Sequence, residues 1–135
     1  MINSGAYAYV DLLTAAADYS WTRNEVLSSN IANVDTPNYK RQDVSFESVL
    51  SAALAKAGSM SHNLTQTVRN VNYNNIKPII YTDNASLSYR IDGNNVDIDQ
   101  EQIELASNQL YYNGVVDSLK QEFSRFRTAM STSGT

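Results

Sequence analysis

His62 is the only histidine of the chain and the first residue that could do acid–base chemistry. Catalysis by a histidine needs a nucleophile or a second catalytic group within reach. The chain has no cysteine, and no nucleophile-elbow pattern surrounds His62. We therefore predict that His62 is a solvated loop residue and that the chain carries no catalytic histidine.

A second candidate is the acidic cluster Asp92, Asp97, Asp99 and Glu101. A calcium loop would need alternating ligand positions, a central glycine and a final glutamate, and this run lacks them. A glycosidase would need two carboxylates facing each other across a groove, whereas Asp97 and Glu101 lie one helical turn apart on the same element. The cluster is typical of a turn followed by a helix start, so we predict no catalytic residue, no metal site and no cofactor.

Length and charge limit the classes of partner. The 135 residues suit one folding unit. The net charge is −4, and the ten basic residues form no run, which argues against nucleic acid or an anionic membrane as partner. No stretch approaches the roughly 20 apolar residues of a membrane span, so we expect no direct membrane insertion. The segment from Met1 to Val10 lacks the features of a cleaved secretory signal, so we expect any export to use another route.

The N-terminal third carries a thin apolar stripe. Its steps of four and three residues predict a helix that ends near Asn33, because Pro37 pushes Thr36 out of the helical region. Asn24 in this stripe is a polar insert of the kind that sets register at some expense of stability. The stripe consists of Ala6, Val10, Leu13, Ala17, Ser20, Asn24, Leu27 and Ile31.

The middle of the chain is less regular. Apolar spacing predicts a short helix from Asp43 to Ala57, and the polar segment 59–75 around His62 is expected to be a mobile loop. Pro78–Tyr81 and Leu87–Ile91 have strand-like composition, and Asp92–Asn95 is a strong turn signal.

A second long helix begins at Asp97 or Asp99, where Asp99, Glu101 and Glu104 place negative charge at the positive end of the helix dipole. Gly114 in its middle is expected to mark a close backbone contact or a slight bend. The apolar stripe of this helix comprises Ile98, Gln102, Leu105, Gln109, Tyr112, Val116, Leu119, Phe123, Phe126 and Met130, and Ile103, Ala106 and Leu110 widen it.

These elements predict a mainly α fold. Two long terminal helices pack as an antiparallel coiled-coil-like pair, with a short helix and a small irregular β region inserted between them. The helices occupy 1–33 and 97–135, the insert occupies 34–96, and all three form one structural unit. Such a pair leaves part of the broad C-terminal stripe exposed, and patches of that kind mark association surfaces. The residues predicted to carry assembly are Leu13, Ala17, Leu27, Ile31, Leu105, Tyr112, Val116, Leu119, Phe123, Phe126 and Met130.

The segment from Ser28 to Lys40 places amides at a helix end and follows them with a Thr-Pro turn and an aromatic. One interpretation is purely local: Asn30 and Asn33 satisfy the terminal carbonyls of the helix, and Tyr39 covers its end. Under that interpretation the segment is a helix cap and turn without a further role.

The same segment resembles the N-terminal signature of the bacterial flagellar rod, hook and hook-associated proteins, in which S-S-N-I-A-N leads to T-P-N-Y. A second stretch resembles the C-terminal helix of a proximal rod member, and the short length leaves no room for the outer domains of distal rod and hook proteins. Val34, the aromatic residues of the first helix and Gly114 depart from the pattern. The second stretch comprises Asp92–Asp97, Leu105, Ala106, Asn108, Gln109, Leu110, Tyr112, Phe123 and Arg127.

The resemblance implies a structural subunit of the flagellar basal body rather than an enzyme. The terminal helices would polymerise around the export channel to form the proximal rod, and the turn at Asn30, Asn33, Thr36, Pro37 and Tyr39 would orient the segment that links neighbouring subunits. Its partners would be copies of itself, other flagellar rod proteins, the adaptor protein FliE and the flagellar export gate. It would reach the periplasmic rod by flagellar type III export without a cleaved signal peptide.

The sequence is also compatible with two other functions. A helical adaptor or secretion chaperone of the export apparatus would share the amphipathic ends but form a closed, soluble dimer. A small glycan hydrolase would need a groove carboxylate that controls wall digestion. Neither alternative accounts for both terminal motifs.

Overall fold

In a computed structural model, the chain forms a long helical pair with a small insert. The structure describes residues 4–58, 63, 66–67, 71–73, 76–83 and 90–132. Their elements are, in chain order, α1 (Ser4–Ala32), β1 (Gln42–Ser45), α2 (Glu47–Gly58), β2 (Ile79–Thr82) and α3 (Ile98–Thr132). The predicted mainly α fold, with a small β region between two long terminal helices, is confirmed.

Helices α1 and α3 pack antiparallel along most of their length. Tyr7 near the start of α1 stacks on Phe126 near the end of α3, with ring centroids 5.8 Å apart. At the other end of the pair, the Asn30 amide donates to the Glu101 carboxylate at 2.9 Å. Asp97 is the N-cap of α3, close to the predicted start at Asp97 or Asp99. Its Oδ1 accepts hydrogen bonds from the backbone N–H groups of Asp99 at 3.0 Å and of the following residue at 3.3 Å.

The face of α3 that meets α1 agrees with the predicted stripe only in part. Five stripe residues are half-buried, as the stripe requires: Leu105, Tyr112, Val116, Leu119 and Phe126. Ile98, Phe123 and Met130 are exposed. Gln102 and Gln109 are also exposed, and the buried residues lie one position before Gln102, Gln109 and Val116, at Glu101, Asn108 and Val115. The stripe was read by apolarity, but two of those three buried residues are polar.

The apolar core joins α1 to the insert and to α3. Ala8, Ala15 and Ala16 of α1 share one buried cluster with Phe46 and Ala57, and Val115 contributes from α3. Tyr19 stacks on Phe46 at a centroid distance of 4.9 Å. Small side chains on α1 therefore allow the insert to pack closely against it.

The prediction that 59–75 is a mobile, polar loop is wrong for its described part. Val71 and Tyr73 are 8% and 4% exposed and belong to the core cluster, together with Ile76 just after this segment. These side chains follow no regular period because the backbone that carries them is irregular, so a periodicity analysis cannot detect them. His62 lies outside the described residues.

The predicted helix from Asp43 to Ala57 begins too early. Asp43 and Val44 belong to β1, which pairs antiparallel with β2 so that Val44 lies opposite Ile80, and α2 starts at Glu47. Pairing with a distant strand thus overrides a local helical pattern. The strand predicted at Pro78–Tyr81 is confirmed as β2, whereas most of the strand predicted at Leu87–Ile91 lies outside the described residues.

Gly93 has an essential conformational role in the turn before α3. Its φ is +77°, in the left-handed region that favours glycine. A Cβ at this position would lie 2.8 Å from the Asn38 side-chain oxygen, and Asn38 itself has a φ of 61°. A side chain at Gly93 would therefore require the Asn38 side chain to move and would strain the backbone at this φ.

The expectation that Gly114 marks a close backbone contact is wrong within the described part of the chain, where an added Cβ would meet no atom within 4 Å. Gly114→Ala should therefore raise the free energy of unfolding by about 0.5–1 kcal/mol, since alanine has the higher helix propensity. Thermal denaturation of the two proteins measures the difference. A lower melting temperature for the alanine variant would contradict the conclusion that a methyl group at position 114 meets no neighbouring atom.

Candidate functional site

The junction of α1, β1 and α3 centres on Asn30, whose side chain is fully buried. Its Nδ2 donates to the Gln42 carbonyl at 2.7 Å and to Glu101 Oε2 at 2.9 Å. Its Oδ1 accepts from the Gln42 N–H at 3.0 Å and from the Tyr39 hydroxyl at 3.2 Å. The amide therefore uses its full hydrogen-bonding capacity to join three elements. The prediction that Asn30 caps its own helix is wrong.

Asn33, by contrast, caps α1 as predicted. Its Nδ2 donates to the Ser29 carbonyl at 2.8 Å, and its Oδ1 accepts from the Thr36 hydroxyl at 3.1 Å. Backbone hydrogen bonds from Thr36 to Asn33 and from Tyr39 to Thr36 close the turn, and Pro37 lies exposed at its surface. The Thr-Pro turn is thus internally braced and turns the chain towards β1.

Asn94 links this turn to the segment before α3. It is fully buried, and its Nδ2 lies 3.0, 2.9 and 2.9 Å from the carbonyl oxygens of Asn33, Val34 and Thr36. Its Oδ1 accepts from the Val96 N–H at 2.8 Å. The sequence indicated only a turn here. The structure shows that the two motif regions, far apart in the chain, bind each other through this side chain.

A buried ion pair lies beneath the junction. Glu101 is completely inaccessible to solvent, and Arg41 Nε donates to its Oε1. The same guanidinium reaches Asp43 Oδ2 at 3.1 Å and Asp83 Oδ2 at 3.4 Å. From the sequence alone, Glu101 is predicted at the helix start, where it interacts with the helix dipole. The ion pair with Arg41 cannot be predicted there, because nothing in the local pattern separates a buried carboxylate from an exposed one.

Arg23 of α1 extends the ionic cluster. It binds Asp43 at 3.2 Å and Glu104 of α3 at 2.9 Å. Burial lowers the pKa of Arg41, but the neighbouring Glu101 and Asp43 carboxylates outweigh this effect and hold it above its ordinary value. Burial raises the pKa of Asp43, but the Val44 N–H and the two guanidinium groups more than compensate, so this pKa lies below its usual range.

The lowered pKa of Asp43 predicts an acid-sensitive contribution to stability. A depressed folded pKa adds stability above the unfolded value of about 3.9, and this stability is lost as pH falls through the folded pKa. We expect Asp43→Asn to reduce the free energy of unfolding at pH 7 and the deficit to shrink towards pH 3, as measured by urea denaturation. Asp18→Asn, at an exposed position of α1, is the control. If the loss of stability in Asp43→Asn does not change with pH, the lowered pKa of Asp43 is contradicted.

Midway along the pair, Ser20 and Asn108 face each other across the helices. The Ser20 hydroxyl donates to Asn108 Oδ1 at 3.0 Å, and Asn108 Nδ2 donates to the Ser20 carbonyl at 2.8 Å. Both side chains are buried. We call Ser20, Asn108, Asn30 and Glu101 the polar seam. The polar insert at Asn24 was expected to set register, but the hydrogen bonds described between α1 and α3 come from Ser20, Arg23 and Asn30 of α1.

The residues predicted to carry assembly fall into three groups. Leu27 is completely buried within the chain, and Phe123 and Met130 are 59% and 68% exposed. Phe126 is half-buried, because Tyr7 stacks on it. The remaining members are half-buried: Leu13, Ala17, Ile31, Leu105, Tyr112, Val116 and Leu119.

Further apolar side chains of α3 are open to solvent near its start. Ile103 is 70% exposed and Leu110 is 75% exposed. Ile103 and Leu110 are seven residues apart, and so are Phe123 and Met130. The two members of each pair therefore lie on the same stripe of the helix surface. Two apolar patches on α3 are therefore not covered by described residues of the chain.

Within the described ranges, no group of three or more histidine, cysteine, aspartate or glutamate side chains has an arrangement that could hold a metal ion. In this same part of the chain, none of the helices combines the length and the hydrophobicity that a membrane span requires.

The signature turn and the helical pair define a class of protein. A family model described as flagella basal body rod protein matches residues 22–40. That range contains Asn30, Asn33, Thr36, Pro37 and Tyr39, which form the cap and junction described above.

Individual relatives extend the match over most of the chain. Over 110 residues it is 33% identical to the flagellar basal body rod protein FlgB of Bacillus subtilis, covering 81% of this chain and 82% of the relative. The FlgB of Borreliella burgdorferi is 37% identical over 79% of this chain and 78% of its own length. For the Escherichia coli FlgB the identity is 34%, with coverage of 67% and 69%. The chain belongs to the FlgB family of flagellar basal body rod proteins.

Membership in this family makes the chain a structural subunit of the flagellar basal body rod. It assembles there with other basal body components. The alternative of a helical adaptor or secretion chaperone finds no support in these relatives.

Proposed function

We propose that the chain forms the proximal part of the rod by helix-mediated polymerisation around the export channel and that it has no catalytic activity. The exposed apolar patches of α3 support this proposal most directly. Phe123 and Met130 occupy one stripe near the free end of the helical pair, and both are more than half exposed. Exposed apolar stripes of this kind are typical of association surfaces.

The ionic junction supports a structural rather than a catalytic role for the charged residues. The carboxylates of Glu101, Asp43 and Glu104 are paired with Arg41 or Arg23. A general acid or base must exchange a proton with substrate, whereas these groups bind one another and hold three elements together. The cluster therefore fits a rigid subunit.

The proposed partners are copies of this chain, other flagellar rod proteins, the adaptor protein FliE and the flagellar export gate. The braced turn at Asn33, Thr36 and Pro37 would orient the segment 34–96 towards neighbouring subunits, since Pro37 is exposed. The family resemblance supports export by the flagellar type III apparatus, without a cleaved signal peptide, to the periplasmic rod.

Fractionation tests this function. An epitope-tagged chain in a motile strain should copurify with detergent-extracted basal bodies and should remain after outer hook components are removed genetically. Light scattering of the soluble fraction should reveal no closed dimer of the chain. Recovery of the chain only as a soluble cytoplasmic dimer would refute a rod subunit and favour a chaperone.

A further inference from the structure

The outward face of α1 carries carboxylates at heptad spacing around an aromatic ring. Asp18 and Glu25 are seven residues apart and exposed, and Trp21 between them is more than half exposed. The Trp21 indole donates to Glu25 Oε1 at 3.2 Å, so both side chains lie on the same stripe. The basic residue of α1 is Arg23, which belongs to the ionic junction. We call Asp18, Trp21 and Glu25 the acidic face.

Near its end, α3 presents a face of the same spacing and opposite charge. Lys120 and Arg127 are seven residues apart and exposed, and Phe123 between them is more than half exposed. Lys120 pairs with Asp117 at 3.0 Å, but these side chains are 71% and 67% exposed. Such a surface pair contributes little to stability, so Lys120 can change its partner. We call Lys120, Phe123 and Arg127 the basic face.

We propose that the acidic face of one copy of this chain packs against the basic face of a second copy. The inference rests on the proposed polymerisation. Two carboxylates then lie opposite two cations, and the indole and the phenyl ring are buried between them. Two acidic faces or two basic faces would repel each other, so the charge pattern selects the mixed contact.

The two faces match in the orientation that a rod imposes. Copies joined by one repeating contact point the same way, so α1 of one copy runs antiparallel to α3 of its neighbour. In this direction Asp18 lies opposite Arg127 and Glu25 lies opposite Lys120. The rings of Trp21 and Phe123 then differ in level by about 1.5 Å, the rise of one residue.

The faces cannot meet within one molecule. The Ser20–Asn108 hydrogen bonds align α1 with α3 of the same copy. Relative to that contact, Asp18 and Arg127 are separated by roughly 25 Å along the pair. The separation of Glu25 and Lys120 is the same, so one axial shift of a neighbouring copy joins both pairs. Because each copy uses two different surfaces, the contact propagates along an open filament instead of closing a dimer.

Crosslinking in assembled basal bodies tests this alignment, and the lack of native cysteine makes introduced thiols specific. Thr14→Cys and Ser131→Cys place thiols at exposed positions outside both faces. The proposed register sets them opposite each other between copies, whereas within one copy they are roughly 25 Å apart along the pair. We expect a short bis-maleimide to give a ladder of crosslinked multimers. Ser28→Cys with Ser131→Cys is the matched control and should give no ladder, since Ser28 is exposed on α1 but lies roughly 21 Å from the required level.

Charge reversal tests the chemistry of the contact. In the double-cysteine background, Asp18→Lys with Glu25→Lys should reduce the crosslinked yield by about tenfold, because like charges then face each other. Lys120→Glu with Arg127→Glu should have the same effect. All four substitutions together should restore the yield to within about twofold of the starting level, a recovery that damage to the fold cannot produce.

Single reversals outside the faces provide the charge controls. Asp11→Lys changes an exposed carboxylate one heptad before Asp18, where the register leaves no residue of α3 opposite. Arg125→Glu changes an exposed cation that pairs with Glu122 of its own helix. Both should leave the ladder unchanged, and circular dichroism of each variant measures its helix content.

The outcomes distinguish this inference from the function beneath it. If the chain enters basal bodies but the Thr14–Ser131 ladder is absent, or the combined reversal does not restore it, the contact between the two faces is refuted and the rod function stands. If the unaltered chain is absent from basal bodies, the rod function fails and the contact fails with it.

Discussion

A strain that carries Phe123→Asp is expected to lose motility completely while the chain is still exported. Phe123 is 59% exposed, so the aspartate leaves the isolated fold unchanged. We propose that a neighbouring subunit buries this phenyl ring in the rod, which would be worth about 1.5–3 kcal/mol, so the variant would place a charge in that contact instead. The loss would recur at every copy of the proposed interface. Swimming assays and immunoblots of exported protein measure the two results.

Neighbouring positions provide the controls. Ser124→Asp adds the same charge at an exposed position one residue away and should retain motility if the stripe is specific. Phe126→Asp should also prevent motility, but it removes the stacking with Tyr7 and so weakens the helical pair itself. Normal swimming by the Phe123→Asp strain would show that this patch does not take part in assembly.

The largest effect on stability is expected for Arg41→Met, which should lower the free energy of unfolding by about 3–5 kcal/mol. The substitution keeps the aliphatic volume but leaves Glu101 buried without its cation, and removal of one partner of a buried pair has a cost of this size. Glu101 has no exposed surface through which water could solvate it. Urea denaturation monitored by circular dichroism provides the measurement.

A double variant separates the cost of an unpaired charge from a general loss of packing. Arg41→Met combined with Glu101→Leu should recover most of the stability, because apolar residues often replace a buried ion pair without loss. Lys40→Met, which removes an exposed cation next to Arg41 in the chain, is the single-site control. A change below about 1 kcal/mol for Arg41→Met would show that the Arg41–Glu101 ion pair does not carry this stability.

The long helices could be predicted because their ends carry local signals. Asp97 is an N-cap, and Asn33 with Pro37 stops α1 within one residue of the predicted end. The inward face of α3 could be predicted only in part. The spacing of the apolar stripe placed Gln102 and Phe123 on the inward face. The helix instead buries Glu101 and Asn108, whose partners lie on α1 and next to β1.

Contacts between distant residues explain the remaining differences. The β1 strand depends on β2, which follows it by more than thirty residues, so no local pattern around Val44 could reveal it. Tyr73 is buried by side chains of other elements, although its own neighbours in sequence are polar. The motif at Asn30 indicated that the residue matters, but its four hydrogen bonds could be assigned only once β1, Tyr39 and α3 were placed around it.

The polar seam also determines how far one helix can slide along the other. A slip by one heptad would carry Asn108 Oδ1 away from the Ser20 hydroxyl and towards Leu13 or Leu27, whose side chains have no donor for it. The stranded amide oxygen would cost about 1–3 kcal/mol, while an all-apolar interface would tolerate the shift more easily. Every copy should therefore fold into a hairpin of the same length, and uniform building blocks give a tube an even spacing along its axis.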